Sequence, residues 1–75
     1  MAVHKEKFHF ECFDYEKFVF EYGKIKYSKH VFSIISGVSL TTIHNILNRS
    51  LENMTIETLR RLEKALKIEK GGLLK

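Results

Sequence analysis

The stretch Ser28-Lys29-His30-Val31-Phe32-Ser33-Ile34-Ile35-Ser36-Gly37-Val38-Ser39-Leu40-Thr41-Thr42-Ile43-His44-Asn45-Ile46-Leu47 decides how this 75-residue chain reads. Apolar residues recur three and four apart on both sides of Gly37, the period of helices buried along one face. Gly37 offers a positive-φ position at no steric cost and ends the first helix abruptly. Ser39 then presents a side-chain oxygen to the orphaned amides of a new first turn. Small Ser33 stands where the first helix must let the second approach. The spacing predicts helices over 29–36 and 40–48 joined by the turn 36–39.

The same logic extends outward. Asp14, Ser28, Ser39 and Thr55 are all N-cap types, and each follows an apolar residue that pairs with another five positions on. Those staples are Phe13 with Phe18, Tyr27 with Phe32, Val38 with Ile43, and Met54 with Leu59. Helices are therefore expected over 15–24, burying Phe18, Val19, Tyr22 and Ile25, and over 56–67, burying Leu59, Leu62 and Leu66. Phe32 and Ile35 should face inward from 29–36, and Ile43, Ile46 and Leu47 from 40–48. A closing element around 69–74 adds Leu73 and Leu74, weakened by Gly71-Gly72. Residues 1–13 differ, since Phe8, Phe10 and Cys12 alternate as in a short strand, which needs a partner. That partner is either the flank of the bundle or the same segment of a second chain. The fold class expected is all-α: a compact bundle of about five short helices around a helix-turn-helix, with a short extended segment at 1–13 and the domain proper at 14–75.

Composition removes other classes. With 44% hydrophobic and 29% charged residues, the chain has room for one thin core. Proline is absent, which excludes collagen-like and polyproline designs. No apolar run approaches the ~20 residues of a membrane helix, and the opening MAVHKEKFHF lacks a signal peptide's apolar stretch, so a cytoplasmic protein is expected. Cys12 is the single cysteine and is expected to be a small, partly buried apolar residue. No Cys₂His₂ or Cys₄ set exists, and His30 and His44 do not share an i, i+4 helix face, so no metal is expected. A glycine-rich phosphate loop, paired carboxylates and a cysteine with a nearby base are all missing, which argues against an enzyme, a cofactor or a small-molecule substrate.

The net charge of +4 is unevenly spread. Residues 1–21 carry Lys5, Lys7 and Lys17 against Glu6, Glu11, Asp14, Glu16 and Glu21. Residues 22–51 carry Lys24, Lys26, Lys29 and Arg49 with no acid at all. A polyanion meets no local repulsion there.

A glycine-centred turn between two short helices, followed by Ile43 and Ile46, resembles the Cro and phage-repressor type of helix-turn-helix regulators, the XRE-like family. Downstream, Thr55-Ile56-Glu57-Thr58-Leu59 and Leu62-Glu63-Lys64-Ala65-Leu66-Lys67-Ile68 look like that family's fourth helix and its exit. The resemblance spans about Tyr15 to Leu74. It implies a lambda-repressor-like bundle of five helices that binds double-stranded DNA as a homodimer, typical of bacterial, phage or mobile-element regulators. This sequence departs from the pattern at Lys29, where a glutamine is common, and at Ser33, Leu47 and Met54, where alanine, an acid and proline are frequent.

With Ile43, Ile46 and Leu47 buried, the rest of helix 40–48 faces out. Thr41, His44 and Asn45 have the reach and the donors to read base edges, and Leu40 can meet a thymine methyl. Lys24, Lys26, Lys29, Ser39, Thr42, Asn48 and Arg49 are the candidate phosphate contacts. Arg60, Arg61 and Lys64 read as a solvated face. The function expected is a sequence-specific DNA-binding transcriptional regulator, a repressor that inserts helix 40–48 into the major groove. The alternative is a protein-interaction module of the same fold, an antitoxin or accessory subunit that uses Phe8, Phe10 and Phe13 as its contact surface. Dimerisation would use either that segment or the Leu73-Leu74 end, or else the chain is the DNA-binding part of a longer repressor.

Overall fold

The four cap residues behave as their side chains dictate. Asp14 accepts from the amide of Lys17, Ser28 from Val31, Ser39 from Thr42 and Thr55 from Thr58, each at 3.1 Å. They open the four helices of the computed structural model, which describes residues 6–75: α1 (Tyr15–Ile25), α2 (Lys29–Ser36), α3 (Leu40–Leu47) and α4 (Ile56–Ala65). Helices α3 and α4 stop one and two residues short of expectation. Asn48 and Leu66 leave the helices as C-caps, and Arg49 and Lys67 then take φ values of 57° and 58°.

The all-α expectation is overturned by what precedes α1. Strand β1 (Lys7–His9) runs antiparallel to β2 (Asn53–Thr55), with Phe8 opposite Met54. The Phe10 amide donates to the Glu52 carbonyl at 3.0 Å and the Ile56 amide to that of Glu6 at 2.8 Å, which lengthens the ladder at both ends. The architecture of the described residues is therefore α+β: four α-helices and a two-stranded sheet. The extended segment finds its partner within the chain, in the stretch just before α4, rather than against the bundle flank or a second copy. The first five residues of the 1–13 segment lie outside the described residues.

A 3₁₀ turn over Phe10–Cys12 leads into α1. Its three-residue period puts Phe10 and Phe13 on one side, their rings stacked at 5.4 Å, and turns Cys12 out to solvent. Cys12 is thus exposed rather than partly buried.

The core gathers Phe13, Phe18, Phe32, Ile43, Ile46, Leu59, Leu62 and Leu73, all fully buried, with Val38, Met54 and Leu66 almost so. Phe13 meets Phe18 at 5.6 Å, and Phe32 meets Phe18 at 6.4 Å and Tyr22 at 5.1 Å. Burial pushes the Tyr22 phenol above its ordinary pKa. Three of the four staples close; Tyr27 stays exposed, its carbonyl accepting from the Tyr22 hydroxyl at 3.4 Å. Val19 and Ile35, expected inward, are 39% and 50% exposed. Helix α2 meets α3 and α4, and only its Phe32 and small Ser36 are buried, which leaves Ile35 on the flank. Among the described residues no single helix is long and apolar enough to cross a membrane.

The closing segment is a turn rather than a fifth helix, and a buried carboxylate holds it. Glu63 is 2% exposed. Its Oε2 accepts from the amides of Gly71 at 2.9 Å and Leu73 at 3.2 Å, and its Oε1 from the Arg60 guanidinium at 2.9 Å. Leu73 then accepts from the Asp14 amide at 2.7 Å, Leu74 bridges to Phe13, and the Lys75 amide reaches the Cys12 carbonyl at 2.8 Å. Glu63→Ala orphans two amides, one of them on a buried residue. We expect it to cost about 2–3 kcal/mol. Thermal melts followed by circular dichroism should show Tm falling by roughly 10–20 °C. Glu63→Gln, which keeps an acceptor, should lose less. A melt within a degree or two of the parent would remove this clamp from the account.

Candidate nucleic-acid interface

Between α2 and α3 the chain bends by 119° across Gly37-Val38-Ser39. Helix-turn-helix pairs bend by about 90–120° over turns of this length. Most polar groups of the turn are occupied. The Gly37 amide donates to the Ser33 carbonyl at 3.0 Å with φ at 75°, closing α2. The Ser33 hydroxyl donates to the Val38 carbonyl at 2.7 Å, and the Val38 amide donates to Ser36 Oγ at 3.1 Å. The Gly37 carbonyl accepts from the Arg61 guanidinium at 3.0 Å, and Arg61 is itself held by Glu57 at 2.9 Å. Ser33 therefore does more than permit close approach: with Ser36 it fixes the turn, and Arg61 ties that turn to α4.

This fixed bend turns one face of α3 outward. Ile43 and Ile46 are fully buried, and at 100° per residue Thr41, His44 and Asn48 line the opposite side, with Asn45 beside them. The N-termini of α2 and α3 enclose an open groove lined by Ser28, Lys29, His30, Leu40, Thr41 and His44. Lys29 is exposed there and makes no ion pair among the described residues. His30, not singled out as a contact residue from the sequence, also lines this wall.

The candidate residues divide. Leu40, Thr41, His44 and Lys29 come together in the groove. The His44 ring lies 2.8 Å from the Asn48 amide nitrogen, so Asn48 shares the outward stripe rather than a phosphate position of its own. Asn45 is half-buried, and Ser50 bonds its backbone carbonyl and, at 3.4 Å, its Oδ1, which leaves its amide donors open. The Ser39 hydroxyl donates to Thr42 Oγ1 at 2.8 Å, inside the α3 cap. Lys24 lies 3.6 Å from Glu21 and 4.5 Å over the Phe20 ring, away from the groove. Lys26 caps α1 with φ at 55° and is exposed, and it too does not line the groove. Arg49 stacks 4.6 Å over the Tyr15 ring, whose hydroxyl donates to the Leu47 carbonyl at 2.8 Å, at the far end of α3.

Arg61 and Ser50 are the supports that periodicity did not reveal. Arg61 lies 24 residues from Gly37, and nothing in the local sequence links them. Among the described residues no group of three His, Cys, Asp or Glu side chains is placed to hold a metal ion. No family model, curated protein or solved structure matches the chain.

Gly37→Ala tests the turn. A Cβ there sits in a left-handed conformation and lands 2.6 Å from Arg61 Nη1. We expect a loss of about 1–3 kcal/mol in urea unfolding, from the φ cost and the displaced hydrogen bond. Arg61→Ala alone should cost about 1 kcal/mol, and the two should not add.

Proposed function

We propose that this chain is a sequence-specific double-stranded DNA-binding protein, a small transcriptional regulator of the XRE-like helix-turn-helix type, and not an enzyme. The observation that carries the reading is the exposed face of α3. Thr41, His44, Asn45 and Asn48 stand on a helix anchored from behind by Ile43 and Ile46, in a 30-residue stretch free of acids. An α-helix is about 10–12 Å across with its side chains, which the ~12 Å wide major groove admits. In this reading Thr41, His44 and Asn45 contact base edges, with Asn48 steering His44, and Leu40 packs on a thymine methyl.

Lys29 and the amides at the start of α2 hold a phosphate on the flank of the groove. Arg49 takes a second phosphate past the other end of α3, its guanidinium already stacked on Tyr15. Two copies would occupy half-sites about 34–36 Å apart or a multiple of that. Of the two segments expected to form the dimer surface, Phe13 and Leu73 are fully buried within one chain, while Phe8, Phe10 and Leu74 are half-buried. Against the protein-module alternative, Phe13 is core, and Phe8 and Phe10 are half-buried against it, which favours the DNA-binding reading.

Fluorescence anisotropy with a labelled generic duplex across a salt series tests the proposal. Micromolar binding that weakens steeply with salt is expected. No binding at low salt by folded protein would sink it. On an operator selected from random DNA, Asn45→Ala should cost roughly 1–3 kcal/mol on that site only. Lys29→Ala should weaken all duplexes alike and lower the salt slope by about one.

A further inference from the structure

Helix α2 is apolar on the side that the fold does not use. Only Phe32 and Ser36 are buried, while Val31, Ile34 and Ile35 are 40%, 71% and 50% exposed. Their i, i+3, i+4 spacing places the three on a single stripe. Scattered exposed aliphatics need no explanation, but a stripe of three on an eight-residue helix marks a contact surface. At the C-terminal end of α2 this stripe runs into a groove against α4, where Ile35, Ser36 and Ala65 form the floor and Arg61, Lys64 and Lys67 the rim. No acid lines it among the described residues, because Glu57 is paired with Arg61 and Glu63 is turned into the core. Lys64 and Lys67 make no ion pair among the described residues.

We infer that this groove docks an acidic amphipathic helix of a partner protein, with its apolar stripe on Ile34, Ile35 and Ala65 and its carboxylates toward Lys64 and Lys67. The charge pattern selects this occupant. A second copy docked face to face would bring the same cations together across the two-fold axis. A nucleic-acid backbone would satisfy the lysines and leave Ile34 in water. Apolar anchors flanked by acid satisfy both halves of the groove, in the helix-in-groove mode. The inference is independent of DNA binding, since the groove lies at the opposite end of α2 from Lys29.

The test uses a fluorescein-labelled helical peptide with leucines at i, i+3, i+4 and i+7 and glutamates on the flanks, against a scrambled peptide of the same composition. Saturable anisotropy with the first peptide only is expected, with amide shifts in a ¹⁵N titration confined to α2 and α4. Ile34→Ser, on a side chain exposed enough to spare folding, should weaken binding about tenfold or more. Lys64→Glu combined with Lys67→Glu should abolish it and restore it for the lysine-flanked version of the peptide. Equal binding of both peptides, none at all, or indifference to these substitutions would overturn the inference. So would a sedimentation-measured dimer that Ile34→Ser dissociates, or binding of the parent to anionic phosphatidylserine vesicles but not to the peptide.

Discussion

A buried carboxylate on α4 holds the two ends of the described chain against one another. Glu63 takes the amides of Gly71 and Leu73, and through Leu73 and Leu74 the closing turn grips Asp14 and Phe13. Leu73 can be a fully buried core residue in a segment without regular structure only because its backbone amide has this partner. The same tie sets the entry of α1, since Asp14 is both its N-cap and the donor to Leu73. Arg60 lies partly in solvent beside Glu63 and balances its charge without a second desolvated ion.

One turn further back, Arg61 and Glu57 do for the α2–α3 turn what Glu63 does for the closing segment. The polar face of α4 is therefore less a solvated surface than a set of braces. Phe32 packs α2 onto α1, Ile43 and Ile46 fix α3 from behind, and Arg61 holds the bend between them. The exposed stripe of α3 is thus braced from behind and at its N-terminal turn. Under the proposed DNA-binding function, a surface braced in this way would lose less conformational freedom on binding.

Much of this was legible in the sequence, for a local reason. Caps, staples and the glycine turn involve residues within five positions of one another, so Asp14, Ser28, Ser39 and Thr55 marked all four helix starts. What was not legible is long-range or too short to carry a period. Asn53-Met54-Thr55 is a three-residue strand whose last two members already served as staple and cap. The burial of Glu63 depends on a turn eight to ten residues away, and charge alone reads as solvated. In α2, Val31, Ile34 and Ile35 look like core by hydropathy, and only the packing of α3 and α4 shows that Phe32 and Ser36 suffice. Candidate site residues divided in the same way: Leu40, Thr41 and His44 follow from helical phase, whereas Lys24 and Arg49 are fixed by an acid and two aromatic rings.

The economy of α2 explains why a chain of this size exposes so much apolar surface. A domain of 75 residues has few interior positions, and α2 fills two of them with one large and one small side chain. The exposed stripe lies on the side of α2 turned away from Phe32 and Ser36. Once present, it shares one rigid eight-residue helix with Lys29, so the groove at one end of α2 and the groove at the other are presented in a fixed relation.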